Sequence, residues 1–389
     1  MTQSPLDRVR RYQDELTAIR RDIHAHPELG LEEHRTADIV ARKLEEWGVE
    51  VHRGVGQTGV VGVLRNGNGA ASVGLRADMD ALPILEATGL PHASRYPGLM
   101  HACGHDGHTT ILLGAARYLA ETRAFNGTVN FIFQPAEEGR GGAEAMLKDG
   151  LFERFPCDAV FGLHNHPGLA VGQFVTSKGV RYAGGAVFDI TITGKGAHGA
   201  RPEEGIDPVI VACHLATALQ SIISRTIAAQ DTAVLSVTRV QAGEAYNVIP
   251  QTAVMAGTVR TMRAEVMATI EQTMKRLAVS IAAGFGAEAV VDFRVLFAPV
   301  VNNEQEMVAY ADAASAVVGE ANVRRDAAPS MASEDFGFMM QRVPGAHVLL
   351  GNGDGAGVHN HQYDFNDEAI PYGVALLAAI TERKLPKGI

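Results

Sequence analysis

The stretch Gly184-Gly-Ala-Val-Phe-Asp-Ile-Thr-Ile-Thr193 marks a change in the hydrophobic pattern of this 389-residue chain. Phe188, Ile190 and Ile192 alternate with polar residues, which is the period of a strand with one face in water. After Asp207-Pro208, which supplies an N-cap and a first-turn proline, the predicted elements are a helix to about 223, strands at 233–240 and 252–261, a helix over 264–282 and a strand at 288–296. This βαββαβ order, about 110 residues long, predicts an independent ferredoxin-like unit.

The chain on either side of this unit has a different pattern. Helices are predicted within 5–47 and at 108–119 and 372–383, and strand-like runs at 59–64, 72–76, 128–133 and 159–163. Strands that alternate with helices predict an α/β sheet covered on both faces. We therefore predict a discontinuous main domain of residues 1–184 and 299–389, with a second domain of residues 185–298 inserted into it.

The composition disfavours several classes of function. Lys and Arg number 34 against 44 Asp and Glu, a formal charge of −10, whereas a nucleic-acid binder needs a basic surface. We expect no membrane-spanning helix, because no uninterrupted run of about 18 apolar residues occurs. The first residues lack the apolar core of a signal peptide. The three cysteines predict no disulfide framework and favour a cytoplasmic protein.

Histidine is the unusual component, with 15 residues, many of them grouped. The segment 100–110, Met-His-Ala-Cys-Gly-His-Asp-Gly-His-Thr-Thr, offers His101, Cys103, His105, Asp106 and His108 just ahead of a predicted helix. Thiolate and imidazole groups bind divalent metals well. The alternative is that Asp106 caps the helix and Cys103 is simply buried. Taken as a group, these residues favour a metal site.

Two adjacent glutamates, Glu137 and Glu138, follow the apolar strand that ends near Phe133. Open α/β sheets bind ligands at the carboxyl ends of their strands. Because adjacent side chains diverge, one carboxylate can bind a metal while its neighbour handles a proton. The alternative is a solvated loop.

Further histidines follow another apolar strand and a glycine-rich stretch. His164 and His166 come after the first, and His359 and His361 after the second. Spacing alone does not say which histidine of each pair is a ligand. Asp78, at the end of a strand, either orients a metal-bound histidine or is an acidic residue in a turn.

Other arrangements remain open at this point. His198 lies in a glycine loop of the inserted segment, which suits a substrate clamp or a hairpin turn equally. A Cys103 nucleophile with His105 as its base would make a thiol hydrolase. The two-residue spacing is poor for that pair, and it leaves Glu138 and His359 unexplained. A metal-binding protein without catalytic activity is a third reading.

These motifs together resemble the amidohydrolase branch of the M20 family of metallopeptidases. The matching stretches are 76–83, 100–110, 134–139, 164–167, 194–209, 247–250, 333–336 and 359–367. This branch contains hippurate hydrolases, auxin–amino acid conjugate hydrolases and N-acetyl-diaminopimelate deacetylase. The resemblance implies a zinc-peptidase-like catalytic domain with a mixed sheet and an inserted ferredoxin-like lid, which also mediates homodimers or larger homo-oligomers.

The resemblance also implies two divalent metal ions, Mn²⁺ or Zn²⁺, with Co²⁺ or Ni²⁺ as alternatives. The roles it implies are Cys103 as the bridging ligand, His105, Glu138, His164 and His359 as the other ligands, Glu137 as general base, Asp78 as the acid behind the metals, His198 as a lid residue of the active site, and Asn247 and Arg260 as holders of the substrate carboxylate. The implied substrate is a small N-acyl amino acid. A dipeptidase, a carbamoylase and a diaminopimelate-pathway deacetylase are alternatives on the same chemistry.

Overall fold

A computed structural model describes residues 5–387. This part of the chain forms two compact units. The first takes the residues up to Arg181, Val300–Pro329 and the residues from Asp335 onward; the second takes Tyr182–Pro299 and Ser330–Glu334. The short segment Ser330–Glu334 lies outside the predicted insert. It joins the second unit because the Ala183 amide donates to the carbonyls of Ser330 and Ala332.

Within the described residues, helices and strands alternate along most of the chain. The helices are α1 (Pro5–Val9), α2 (Gln13–His24), α3 (His34–Glu46), α4 (His105–Thr122), α5 (Gly142–Lys148), α6 (Leu151–Arg154), α7 (Pro208–Ser221), α8 (Ala264–Gly284), α9 (Glu304–Val318), α10 (Phe336–Met340) and α11 (Ile370–Lys384). The strands are β1 (Glu50–Val55), β2 (Gly59–Asn66), β3 (Ser72–Asp78), β4 (Gly127–Gln134), β5 (Ala159–His166), β6 (Phe174–Val175), β7 (Gly179–Tyr182), β8 (Gly184–Thr193), β9 (Ala197–His198), β10 (Ala233–Ala242), β11 (Val248–Ile249), β12 (Thr252–Thr261), β13 (Glu288–Phe297), β14 (Val300–Asn302), β15 (Val323–Arg324) and β16 (Gly345–Gly351).

The first unit is built on a mixed eight-stranded sheet with the order β1-β2-β4-β3-β5-β16-β6-β15. Alternate residues of its strands enter different apolar cores: Phe131 and Phe133 pack in one, and Ile132 in the other. This confirms the predicted sheet with both faces covered. Strands β4, β3, β5 and β16 run parallel, so their carboxyl ends meet at one edge of the sheet.

Helix α4 starts at His105, three residues before its predicted start. Gly104 precedes it in the left-handed region, with φ of 93°. Asp106 does not cap this helix, because its Oδ2 lies 2.8 Å from His24 Nδ1 and 3.6 Å from Arg20 Nη1. Contacts with α2 therefore hold the side chain of Asp106, which the sequence analysis considered as a helix cap.

The second unit has an antiparallel sheet with the order β10-β12-β8-β13. This is the strand order of a ferredoxin-like fold, and the strands and helices follow the predicted βαββαβ sequence. Phe188, Ile190 and Ile192 of β8 are buried against residues of α7 and α8, which explains the alternation seen in the sequence. A separate two-stranded arm pairs β9 with β11.

One helical segment of the second unit bears on the expectation of no membrane-spanning helix. Among the described residues, one helical segment, Pro208–Thr226, is long and apolar enough to cross a membrane by length and composition, with a mean hydropathy of 1.3. Scattered polar residues such as His214 and Gln220 interrupt the apolar run, but they do not lower its average enough. Its Val211, Leu215 and Leu219 pack in the core of the second unit.

Candidate metal centre

The carboxyl edge of the parallel strands gathers two groups of candidate ligands that share one sulfur atom. Cys103, His105 and His164 form one group, and Cys103, Glu138 and His359 form the other. Within each group the ligand atoms lie within 4.8 Å of one another. All these residues belong to the first unit. The arrangement gives Cys103 Sγ a place in two adjacent candidate ion sites.

His105 is held in the orientation that a metal ligand needs. Its Nδ1 lies 3.1 Å from Asp80 Oδ1, while its buried Nε2 has no hydrogen-bond partner among residues 5–387. Burial disfavours the charged ring, but the charges of Asp78 and Cys103 and the bond to Asp80 outweigh it and raise the pKa of His105 well above its usual value. A histidine that donates one ring N–H to a carboxylate presents its other nitrogen as a ligand atom.

His164 has the same arrangement with a carbonyl group in place of the carboxylate. Its Nδ1 lies 2.7 Å from the carbonyl oxygen of Asn165, and its Nε2 lies 3.3 Å from Cys103 Sγ. Burial, together with the neighbouring His108, lowers the pKa of His164 well below its usual value. The ring is therefore neutral, with the Nε2 lone pair directed toward the sulfur.

His359 closes the second group and adopts an uncommon backbone conformation. Its φ is +64°, and its amide donates to the Ala102 carbonyl at 2.7 Å. Its Nε2 lies 3.1 Å from Glu138 Oε1. Bonds to Cys103 and Glu138 raise the pKa of His359 to about 10. Left-handed backbone in a residue other than glycine is strained and concentrates at functional sites.

The two glutamates lie close together, because a carboxylate oxygen of each lies within 4.8 Å of the other and of a ring nitrogen of His105. Glu138 joins the ligand group, and its amide donates to Asp80 Oδ2 at 2.9 Å. Glu137 is buried, with Oε2 4.0 Å from His105 Nε2 and Oε1 accepting from the Asp335 amide at 3.3 Å. Glu137 therefore lies beside the ligand groups in an anchored position.

Asp78 lies behind the candidate ligand His105, with its Oδ2 3.8 Å from His105 Nε2, but its closest contacts are with other residues. Its Oδ1 lies 2.6 Å from Nδ1 of His108, and its Oδ2 accepts from Arg76 Nη1 at 2.8 Å. Asp80 is the carboxylate that lies within hydrogen-bonding distance of His105. Burial opposes ionisation of Asp78, but the positive charges of His105, His108 and Arg76 hold its pKa well below the usual range.

Cys103 is buried at 7% exposure. Burial and the negative charge of Glu138 raise the pKa of its thiol. A nucleophilic cysteine needs a lowered pKa and an electropositive setting. The surroundings of Cys103 suit a ligand that loses its proton to a metal better than a free thiolate nucleophile.

Three of the candidate residues belong to the second unit. His198 lies on strand β9 of the two-stranded arm and Asn247 immediately precedes its strand β11, and the Gly199 amide donates to the Asn247 carbonyl at 2.7 Å. Arg260 lies on β12 and its Nη1 donates to Thr258 Oγ1 at 2.8 Å. Burial lowers the pKa of Arg260. His198 and Asn247 are exposed, and Arg260 is partly buried.

Sequence reasoning missed the residues that support the ligands. Asp80, Asn165 and Asp335 all lie inside motifs that drew attention, but each was passed over for a neighbour. Asp335 is buried and accepts from Gln134 Nε2 at 2.7 Å and from Arg76 Nη2 at 3.2 Å. The signal in the sequence that could have identified them is that each is a polar residue inside one of these motifs.

Known proteins resemble this chain over nearly all of its length. The sequence profile of peptidase family M20/M25/M40 matches residues 74–383. Hippurate hydrolase of Campylobacter jejuni is 44% identical over 96% of this chain and 97% of the relative. N-acetylcysteine deacetylase of Bacillus subtilis is 40% identical over 91% of this chain and 93% of the relative. The solved structure of a Bacillus subtilis protein, described as a dinuclear metal binding peptidase from the M20 family, has a TM-score of 0.83 at 36% identity and covers 97% of this chain and 99% of that chain.

Proposed function

We propose that this chain, which belongs to peptidase family M20/M25/M40, hydrolyses the amide bond of N-acyl amino acids with the help of two divalent metal ions. Its membership of the family makes it a hydrolase acting on amides. We propose, beyond this, that it binds two ions, that its substrate is an N-acyl amino acid, and that individual residues have the roles given below.

The sharing of Cys103 between two ligand groups is the observation that carries the proposal. The donor set fits divalent Zn²⁺ or Mn²⁺, because it offers a thiol, three imidazoles and a carboxylate in one cluster that is buried at Cys103 and His105 and exposed at His359. Within the described part of the chain, the buried Nε2 atom of His105 finds no hydrogen-bond partner, although a buried polar atom left unpaired is costly. A bound cation would satisfy this atom.

Cys103, His105, Glu138, His164 and His359 would hold the two ions. When bound, two divalent ions lower the pKa of water and polarise the carbonyl group of the substrate. Glu137 takes a proton from the attacking water at its carboxylate and returns it to the nitrogen of the leaving amine. Its anchoring by the Asp335 amide supports this role, because a general base must be held within reach of the proton.

We propose the remaining roles for three residues of the second unit. His198 donates a hydrogen bond to the carbonyl oxygen as negative charge develops on it. Asn247 and Arg260 hold the free carboxylate of the amino-acid part of the substrate, for which a guanidinium group is well suited. We propose that the enzyme acts as a homodimer or larger homo-oligomer assembled through the second unit.

The names of the relatives support the substrate class. Hippurate is N-benzoylglycine, and N-acetylcysteine is likewise an acyl group joined to an amino acid by an amide bond. The relatives accept different acyl groups and different amino acids. The common element is therefore an N-acyl amino acid with a free carboxylate.

A substrate panel tests this function. The protein, loaded with Mn²⁺ or Zn²⁺, is incubated with N-acetyl-, N-benzoyl- and indole-acetyl-amino acids, and the released amino acid is measured. We expect hydrolysis of at least one substrate, its loss on chelation and its return when metal is added. Hydrolysis that survives chelation would support a thiol hydrolase instead, and metal binding without hydrolysis of any substrate would support a non-catalytic protein.

A further inference from the structure

The side chain of Asn165 connects parts of the chain that are far apart in sequence. It is buried at 1% exposure and lies on β5 between His164 and His166. Its Nδ2 donates to the carbonyl oxygen of Cys103 at 2.6 Å, and its Oδ1 accepts from the hydroxyl of Tyr363 at 2.7 Å. The fully buried Tyr363 thereby fixes which way the Asn165 amide faces.

The backbone beside Cys103 is shaped to this contact. Gly104 has a φ of +93°, and a Cβ atom at this position would overlap both Asn165 Nδ2 and the Tyr363 hydroxyl. Only glycine permits this conformation together with such a close approach. The chain passes against the Asn165 amide immediately after the residue that belongs to both ligand groups.

Main-chain groups of the same residue hold two neighbouring histidines. The carbonyl of Asn165 accepts from His164 Nδ1, and its amide donates to His108 Nε2 at 2.9 Å. Since His108 Nδ1 bonds to Asp78, both ring nitrogens of His108 are engaged. His108 is therefore a support in this part of the site, although it stands in the same motif as the candidate ligands.

We propose that Asn165 is a positioning residue that holds Cys103 where the two ion sites meet, with Tyr363 orienting its amide. This inference rests on the proposed two-metal function. Without the Asn165 side chain, the carbonyl of Cys103 loses its partner and the segment of residues 102–104 is free to shift. The sulfur then no longer fits both ligand groups at once.

Alanine at position 165 isolates the side chain, because both main-chain bonds of the residue remain. Outer partners of metal ligands typically contribute about 10- to 100-fold to metal affinity. We expect Asn165→Ala to weaken binding of at least one ion by an amount in this range. We expect Tyr363→Phe to act in the same direction with a smaller effect, because it removes only the hydroxyl that orients the amide.

Asn130→Ala is the matched control. Asn130 is also 1% exposed, lies on β4, which β3 separates from β5 in the sheet, and donates to a backbone carbonyl, that of Pro156, at 2.9 Å. Its side chain bonds to the Pro156 carbonyl and to Cys157 Sγ, neither of which belongs to a candidate ligand. We expect this variant to lose stability without losing affinity for metal.

The experiment is a Co²⁺ titration of the metal-free protein, followed by the sulfur-to-cobalt charge-transfer absorption and by competition with a chelator. We expect the wild type and Asn130→Ala to bind two ions with a full thiolate band, and Asn165→Ala to bind the ions more weakly with a reduced band. A wild type that binds no pair of ions would refute the proposed function itself. If the wild type binds two ions and Asn165→Ala binds them equally well, the role of Asn165 is refuted. If Asn165→Ala does not fold, Tyr363→Phe decides, and its unchanged affinity and band would refute the proposal.

Discussion

Replacing Asp80 by asparagine tests whether a residue that holds two candidate ligands, without being a ligand itself, contributes to metal binding. Asp80 is buried at 2% exposure, and its two oxygens accept from His105 and from the amide of Glu138. Asparagine has nearly the same shape but only one oxygen. The variant therefore keeps one of these two bonds and places an NH₂ group against the other donor.

The expected loss of metal affinity follows from the number of hydrogen bonds that the substitution removes. A hydrogen bond to a charged group contributes about 1.5–3 kcal/mol. Since 1.4 kcal/mol corresponds to a tenfold change in an equilibrium constant, loss of one bond weakens metal binding by about 10- to 150-fold. If the NH₂ group faces His105, it also drives the ring proton onto Nε2, the atom expected to bind metal.

The assay is competition between the protein and a coloured chelator for Mn²⁺ or Zn²⁺ at fixed pH. Asp158→Asn is the control, because Asp158 also accepts a bond from a backbone amide, that of Ser72, at 2.8 Å. This contact lies where β3 and β5 begin, at the end of the sheet opposite the candidate ligands. We expect Asp80→Asn to lose affinity and the control to keep it. Equal affinity in wild type and Asp80→Asn, or an equal loss in the control, would refute the role of Asp80.

Three other perturbations test separate parts of the account. Glu137→Gln should lower kcat by about 100- to 10,000-fold while metal content stays constant; loss of metal would instead make Glu137 a ligand. His198→Ala should lower kcat by about 100- to 1,000-fold with an unchanged melting temperature, and turnover like that of the wild type would remove its role. Burial opposes the charge on His24, but its hydrogen bond to Asp106 raises its pKa to about 9, above the usual 6.5. The stabilisation from this pair is therefore present below pH 6.5 and lost as the pH rises through 9. Urea unfolding of the metal-free His24→Gln variant should vary less over that window than the wild type, and an equal dependence would contradict the argument.

The sequence predicted the elements whose hydrophobic period is clear. The strand Thr252–Thr261 was predicted at its observed bounds, because alternate residues are buried along its whole length. Strand β1 was not predicted, because it lies at the edge of the sheet with half of its residues exposed and carries no apolar alternation. Strand β16 was also not predicted; it is fully buried and shows no alternation.

The candidate ligands were recognisable because their residue types are distinctive, whereas their supports were not. Choosing between Asp78 and Asp80 requires knowing where β3 ends. Asp78 is the last residue of the strand and faces His108, while Asp80 lies beyond the strand and reaches His105 and Glu138. The contact between Asn165 and Cys103 joins residues 62 positions apart, which no local pattern reports.

Anomalous diffraction from crystals of the Mn²⁺- or Zn²⁺-loaded protein tests the central claim most directly. The account predicts two metal peaks roughly 3.5–4 Å apart. Both should lie within bonding distance of Cys103 Sγ, one beside His105 and His164 and the other beside Glu138 and His359. A single peak, or two peaks of which either is not bound by Cys103, would contradict it.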